Sequence, residues 1–371
     1  MDLNETDAIV IGAGMAGATA AAQLSTTHRV ALLEAEDSAG YHTTGRSAAI
    51  WILNYGSPDA RILTGASRGF FEHPPEGFGP LAHGRAVLTL APEGQEAALE
   101  AMVAGGAGLE RIRVAEARAL VPALREGWAV AAVIERDAFD IEVAALHQGF
   151  LRQLRQAGGQ IALRHRAGRI WREAGLWHAE STGGALHRAP ILVNAAGAWG
   201  DVVARLAGVA PIGLQPKRRT ACIVDPGPYD SRDWPLVCDA AGTWYVRPEA
   251  RRKLMLSPVD ETDSEPTDAQ PDEYDVALAV DRMQQALDIE VRRIEHRWAG
   301  LRSFTPDRGL AIGQGSAPGF FWMCGQGGYG IQTAPAAGRL LAALVRGEAP
   351  PADLAGAVAL TDPLRLARIA P

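Results

Sequence analysis

The sequence predicts an α/β fold on three observations: a βαβ unit built around a glycine turn, two later strand–turn–helix junctions, and a strand-rich stretch between those junctions. The first is "DAIVIGAGMAGATAAAQLSTTHRVALLEAE". Ala8–Ile11 is a short apolar run of the kind buried in a parallel sheet. Gly12, Gly14 and Gly17 follow as Gly-x-Gly-x-x-Gly. The first permits a tight turn, the second lets a pyrophosphate approach the backbone, and the third lets helix and strand pack closely. Residues 18–24 read as a small-residue helix whose N-terminus faces the phosphate. Val30–Leu33 is the next strand, and Glu34 ends it where a carboxylate can meet a ribose hydroxyl. An acid there disfavours a 2′-phosphate, which argues against NADP.

The second observation is "ILVNAAGAWGDVVARLAG", a strand and helix with Ala195, Ala196 and Gly197 at the turn. Far downstream comes "FFWMCGQGGYGIQTAPAAGRLLAALV": the apolar strand Phe320–Cys324, a turn with Gly325, Gly327, Gly328 and Gly330, and an expected helix over 331–345. Its N-terminus would aim positive dipole at an acceptor, and the pyrimidine edge of a reduced flavin is one. An NAD-type unit would continue with plain alternating strands and helices. Here "GYHTTGRSAAIWILNYG" intervenes at once. It reads as a polar, glycine-punctuated loop that gives way to a buried apolar helix ending near Tyr55. A planar ligand lying against that loop makes FAD the expected cofactor.

Between the junctions, "EVAALHQGFLRQLRQAG" reads as an amphipathic helix before a strand at 160–163. "TACIVD", "PLVCDA", "GTWYVRPE" and "RKLMLSP" read as strands separated by turn residues. "DETDSEPTDAQPDE" is a solvated acidic loop before a helix at 274–291.

A chain of 371 residues is long for one core, so two domains are expected. With 47% hydrophobic and 21% charged residues it has the composition of a globular protein. A net charge of −7 and the lack of any basic run exclude a nucleic-acid footprint. Cys222, Cys238 and Cys324 form no Cys-x-x-Cys pair and read as reduced thiols, with no metal site expected. The N-terminus lacks a basic region before its apolar run, so it reads as a strand and not a signal peptide. No apolar segment reaches the ~18–20 residues of a spanning helix. The expected location is the cytoplasm, with peripheral contact at the inner membrane left open.

The motifs "GYHTTGRSAA", "GLQPKRR", "WAGLRSF" and "FFWMCGQGGYGIQT" occur in an order that resembles the FAD-dependent D-amino acid oxidase family. Within that family the bacterial D-arginine dehydrogenases are the most similar by these motifs. The resemblance implies a discontinuous, glutathione-reductase-like FAD-binding Rossmann-like domain over 1–80, 138–210 and 300–371. It also implies an α+β substrate domain with a mostly antiparallel sheet over 81–137 and 211–299. The expected activity is oxidative deamination of a D-amino acid. A hydride leaves Cα for flavin N5, and the resulting imine hydrolyses to a 2-oxo acid and ammonia.

Such chemistry asks the protein mainly to position the substrate. An arginine clamp on the α-carboxylate with a tyrosine beside it is the group to look for. The resemblance assigns the clamp to Arg302, a second substrate-facing cation to Arg219, and active-site tyrosines to Tyr55 and Tyr245. Around the cofactor it implies Thr43, Thr44, Arg46, Ser47 and Ala48 on one side. Gly328, Tyr329, Gly330, Ile331 and Gln332 stand on the other. No cysteine stands in "GLRSFTPD", so the FAD is expected to be non-covalent. His147 reads as structural, while His42 sits where it could approach the cofactor.

Two departures bear on the substrate. Arg85 stands where the D-arginine dehydrogenases would place a glutamate for the cationic side chain, and Ile50 and Ile52 replace polar residues. Reversing a desolvated charge costs at least the ~2–5 kcal/mol of truncating one partner. The expectation is therefore a substrate other than D-arginine, with an electron acceptor that is a quinone, a dye or oxygen. Oxidation of a 2-hydroxy acid or of another amine acid, and a flavoprotein without turnover, are the alternatives.

Overall fold

The computed structural model describes residues 3–368. Residues 1, 2 and 369–371, at the ends of the expected FAD-binding segments, lie outside the described residues. The expected α/β core is a six-stranded sheet in the order Gln160–Ala162, Val30–Leu33, Ala8–Ile11, Ile191–Asn194, Phe320–Cys324, Ala311–Gln314. The first five strands run parallel and the last antiparallel. Parallel strands are covered on both faces, which is why they read as continuous apolar runs. Ala8, Ile9 and Val10 are fully buried, as is Phe320. Helices Met15–Leu24, Val143–Gln156 and Ala334–Val345 pack on one side, with small residues at the contact: Gly338 meets Thr19, whose hydroxyl donates to the Ala334 carbonyl at 3.2 Å.

The second layer is a nine-stranded sheet, antiparallel except where Leu236–Asp239 runs parallel to Val87–Ala91. The longest pairing joins Gln215–Val224 to His296–Phe304, antiparallel, with Arg219 opposite Gly300 and Lys217 opposite Arg302. Strand His296–Phe304 runs through residue 300, the boundary expected between the two domains. A three-stranded sheet, Ile50–Trp51, Phe139–Ile141 and Ala82–Gly84, ties the two layers together.

That small sheet corrects the helix expected after the polar loop. Residues Thr43–Arg46 form one 3₁₀ turn, and the apolar stretch is the short strand Ile50–Trp51. Period two explains it. Trp51 points into the core, stacked on Phe139 at 5.1 Å, while Ile50 and Ile52 face the opposite side. Two other elements start or stop earlier or later than expected: the last long helix begins at Ala334, and Glu273–Ala286 ends five residues short of 291.

Close packing at the first turn is strict. Gly12 has φ +97°, and a Cβ on Gly17 would lie 1.7 Å from the Gly12 carbonyl oxygen. Gly17→Ala should therefore cost about 1–3 kcal/mol, as overpacking does, and lower the melting temperature. Gly69, inside helix Pro58–Glu72, has nothing within 4 Å of such a Cβ. Gly69→Ala should be neutral or stabilise by up to about 1 kcal/mol. Thermal melts of both variants check the contrast.

Candidate active site

One cavity of about 660 Å³ begins at the C-terminal ends of the parallel strands and continues to the antiparallel sheet. Ligands of open α/β sheets bind at those strand ends. Gly12, Gly14, Glu34, Ala196 and Gly197 line its first section. Helix Met15–Leu24 opens there on Gly14 with no side-chain cap, so first-turn N–H groups are turned toward any phosphate placed there. The Met15 N–H is taken by Thr44 Oγ1 at 2.9 Å, which fixes the polar loop to the helix start. Glu34 is nearly buried, and its carboxylate accepts the Ala13 N–H at 2.7 Å and the Glu36 N–H at 3.0 Å. Each carboxylate oxygen has a second lone pair, which leaves capacity for ribose hydroxyls. Glycine turn, uncapped helix start and terminal acid together fit the adenosine diphosphate half of FAD.

Further along, Thr43, Thr44, Arg46, Ser47 and Ala48 border one side of the cavity, with Gly328, Gly330, Ile331 and Gln332 on the other. Most of their polar groups fasten the wall. Thr43 donates to the Leu301 carbonyl at 2.7 Å, Ser47 to the Thr43 carbonyl at 2.8 Å. Arg46 donates to the carbonyls of Ala269 and Ala299 and pairs with Asp268. Gln332 brackets Ile52, accepting its N–H at 3.1 Å and donating to its carbonyl at 3.2 Å. His42 also borders the cavity, its Nε2 3.2 Å from Glu36, whereas His147 is buried with Nε2 2.9 Å from the Ala13 carbonyl. Burial lowers the His147 pKa, so it stays neutral as a packing residue.

At the junction of the two layers the structure brings Arg302, Tyr55, Arg219 and Tyr245 to one place. Arg219 and Ala221 from one strand and Trp298, Gly300, Leu301, Arg302 and Ser303 from the other border the cavity, while Arg218 turns away to Asp275 at 2.8 Å. The Arg302 guanidinium donates to the Tyr55 hydroxyl at 2.9 Å. Gly328 sits beneath both: a Cβ there would come 2.5 Å from the Tyr55 hydroxyl and 2.6 Å from Arg302 Nη1. Burial pushes the Tyr55 phenol up, but the charges of Arg302 and Arg219 outweigh it and hold it below its ordinary value. Burial, then the neighbouring Arg302, bring Arg219 down to about 10, still charged at neutral pH. Arg219 Nε donates to the Asp260 carbonyl at 2.8 Å, and Nη2 lies 3.3 Å from Glu261, which Arg308 also holds at 3.0 Å.

Three expected site residues stand elsewhere; Gly17 packs helix Met15–Leu24 against the Gly12 turn and does not border the cavity. Arg85 does not border the cavity. Its guanidinium pairs with Asp140 at 2.8 Å and donates to the carbonyls of Arg232 and Trp234. It follows the strand Ala82–Gly84 in a link between two sheets, so period two does not aim it at the ligand. Tyr329 is buried in the wall behind Tyr55, 6.1 Å between rings, with its hydroxyl on the Arg308 carbonyl. Sequence reasoning also missed Glu135, which borders the cavity at the end of strand Ala131–Glu135. The signal was present: an acid closing a buried apolar run, as at Glu34. Among the described residues no group of three or more His, Cys, Asp or Glu is placed to hold a metal.

The family model described as "DAO: FAD dependent oxidoreductase" matches residues 7–344. The chain belongs to this family. FAD is accordingly the cofactor of this oxidoreductase, and the cradle from Gly12 to Gln332 would hold it. Among curated proteins, "FAD-dependent oxidoreductase domain-containing protein 1" of Bos taurus is 30% identical over 176 residues, 42% of this chain and 35% of that protein. The alignment thus spans about a third of that relative's length. Among solved structures, L-proline dehydrogenase from P. horikoshii is similar with a TM-score of 0.85 at 20% identity, covering 99% of each chain. Glycine oxidase from Geobacillus kaustophilus follows with 0.83 at 20% identity, covering 96% of this chain and 98% of that one. At such identities the likeness is one of fold. The nearness to D-arginine dehydrogenases therefore rests on motifs alone.

Arg302→Ala should lower kcat/KM for the preferred substrate about a hundredfold or more, the loss expected for a desolvated charged contact. Arg85→Ala should instead lower thermal stability by about 1–3 kcal/mol, since it strips the nearest cation from the mostly buried Asp140. Steady-state kinetics and melts of the two variants separate the roles; a large kinetic loss at Arg85 with no change in melting would contradict the assignment.

Proposed function

We propose that this FAD-dependent oxidoreductase deaminates an α-amino acid oxidatively, with Arg302 holding the α-carboxylate. The observation that carries this reading is the Arg302–Tyr55 pair standing over Gly328, where the cofactor cradle meets the antiparallel lobe. Bound FAD supplies the two-electron acceptor. The protein's own groups do the positioning. Arg302 offers a planar, always-charged fork that fits a carboxylate, and Tyr55 and Tyr245 add hydroxyls at its edge. Arg219 adds a second positive charge to the same anion, at the expense of its contact with Glu261.

Beyond the clamp, Ile50, Ile52, Val87 and Leu236 form an apolar flank with Cys238 and Tyr245. Burial pushes the Cys238 thiol up to about 11, so it acts as a small apolar group there. The flank supports a substrate with apolar side-chain surface. Arg85 faces Asp140 and not the cavity, so its charge does not oppose a basic side chain there. The D configuration is supported by the motif resemblance. The two similar structures are named for L-proline and glycine, so the enantiomer is the first thing to test.

Anaerobic mixing of the holoenzyme with both enantiomers of a panel of amino acids reads the reaction directly. D-amino acids should bleach the visible flavin band and release one ammonia per flavin reduced. Bleaching by L enantiomers alone would overturn the stereochemical assignment. Bleaching by 2-hydroxy acids without ammonia would overturn the amine assignment and leave the clamp. A flavin that stays oxidised with every substrate would remove the catalytic reading.

A further inference from the structure

The register of the antiparallel sheet carries the apolar flank to a buried acid. Opposed residues in a sheet share a face. Tyr245 lies opposite Cys238, and Cys238 beside Thr89; in the next row Leu236 lies beside Val87, and Val87 and Leu109 both lie opposite Glu135. All of these border the cavity. From the Tyr245 strand to the Glu135 strand is three steps of ~4.8 Å, roughly 14 Å between backbones. A lobe therefore runs from the carboxylate clamp across the sheet to Glu135.

Glu135 is 5% exposed; the Leu53 N–H donates to its Oε1 at 2.9 Å, and the Asn54 backbone and side chain also donate to its carboxylate. No cation lies within ion-pair distance among the described residues. Arg61, the nearest positive charge that acts on it, donates instead to the carbonyls of Gly56 and Gly105. The contrast with Asp239, also on the cavity, is direct. Its two oxygens accept from Thr243 N–H at 2.6 Å, Trp244 N–H at 3.2 Å, Thr243 Oγ1 at 2.8 Å and Gln95 Nε2 at 2.9 Å. Asp239 builds a turn and has its partners. Glu135 closes an apolar lobe and lacks a counter-charge, and burial raises its pKa accordingly. An unpaired buried carboxylate is costly, so a ligand group that donates to it is favoured over one that cannot.

We propose that Glu135 is the side-chain subsite of this enzyme and receives a nitrogen-bearing, hydrogen-bond-donating terminus of a long substrate side chain whose stem lies on Ile50, Ile52, Val87 and Leu236. The inference rests on the amino-acid reading above and adds the class of side chain. A terminus that is cationic and one that is a neutral amide share the donor chemistry. A site built to hydrogen-bond its substrate rejects an analogue lacking the donor far more strongly than an apolar pocket rejects one.

The test uses the holoenzyme with a dye acceptor and three substrates of the reactive enantiomer. They are lysine, citrulline, and the lysine analogue with a methyl in place of the ammonium. Wild type should favour lysine, citrulline or both over the methyl analogue by about tenfold or more in kcat/KM. In Glu135→Leu that ratio should collapse toward unity or invert. In Glu135→Gln, which keeps shape without charge, lysine should lose more of its advantage than citrulline. Each ratio is internal to one protein, so any general loss in a variant cancels. If citrulline is favoured as strongly as lysine the donor alone is read; if lysine alone is favoured the charge is read. A wild type that prefers the methyl analogue, or ratios equal in all three proteins, overturns the subsite while alanine-type turnover leaves the amino-acid reading standing. If no amino acid reduces the wild-type flavin, the parent reading fails and the subsite with it.

Discussion

The pairing of Gln215–Val224 with His296–Phe304 is the constraint on which the site depends. It places two arginines, Arg219 and Arg302, on one face of a sheet in a space bordered largely by apolar side chains. Like charges held so close raise each other's free energy, and burial adds to it. The structure answers with two phenols, the Asp260 carbonyl and the Glu261 carboxylate, which is itself shared with Arg308. Such an arrangement favours an anion at its centre, and in the proposed function that anion is the substrate carboxylate. A slip of one residue in this pairing would put Arg219 and Arg302 on opposite faces and bring Arg218 to the face of Arg302. Arg218 is secured against that by Asp275 and Asp272.

The cofactor cradle is set by a different force, close backbone approach. Gly12 and Gly17 let the first strand, first helix and the Ala195 turn meet, and Gly328 does the same beneath Arg302 and Tyr55. The polar loop bridges these regions. Thr44 accepts the Met15 N–H beside the helix start, Thr43 reaches Leu301 next to Arg302, and Arg46 holds Ala269, Ala299 and Asp268. One short segment therefore couples the dinucleotide end to the substrate end.

Much of this was legible in the sequence because it rests on local chemistry. Glycines at fixed offsets, an acid after a strand and apolar runs of strand length each have a near-unique structural reading, and they located the cradle. The motif resemblance points to Arg302, Arg219, Tyr55 and Tyr245, and the fold brings these four to one cavity. What the sequence hid depends on which way a side chain faces. "AAIWILN" is short and apolar, and such a run cannot be told as helix or strand by periodicity alone; Trp51 packing on Phe139 decides it. Arg85 follows a strand end in a link, where no period applies. Glu135 needs four strands in register before it is seen to share a face with Tyr245.

The most direct test of the central claim is a crystal structure of the holoprotein soaked anaerobically with a reactive amino acid or its product. The account requires the carboxylate within hydrogen-bond distance of Arg302, beside Tyr55 or Tyr245, with Cα against the flavin ring over Gly328. It also requires Arg85 still paired with Asp140. A carboxylate bound away from Arg302, or a flavin lying outside the cradle between Gly12 and Gln332, would contradict it.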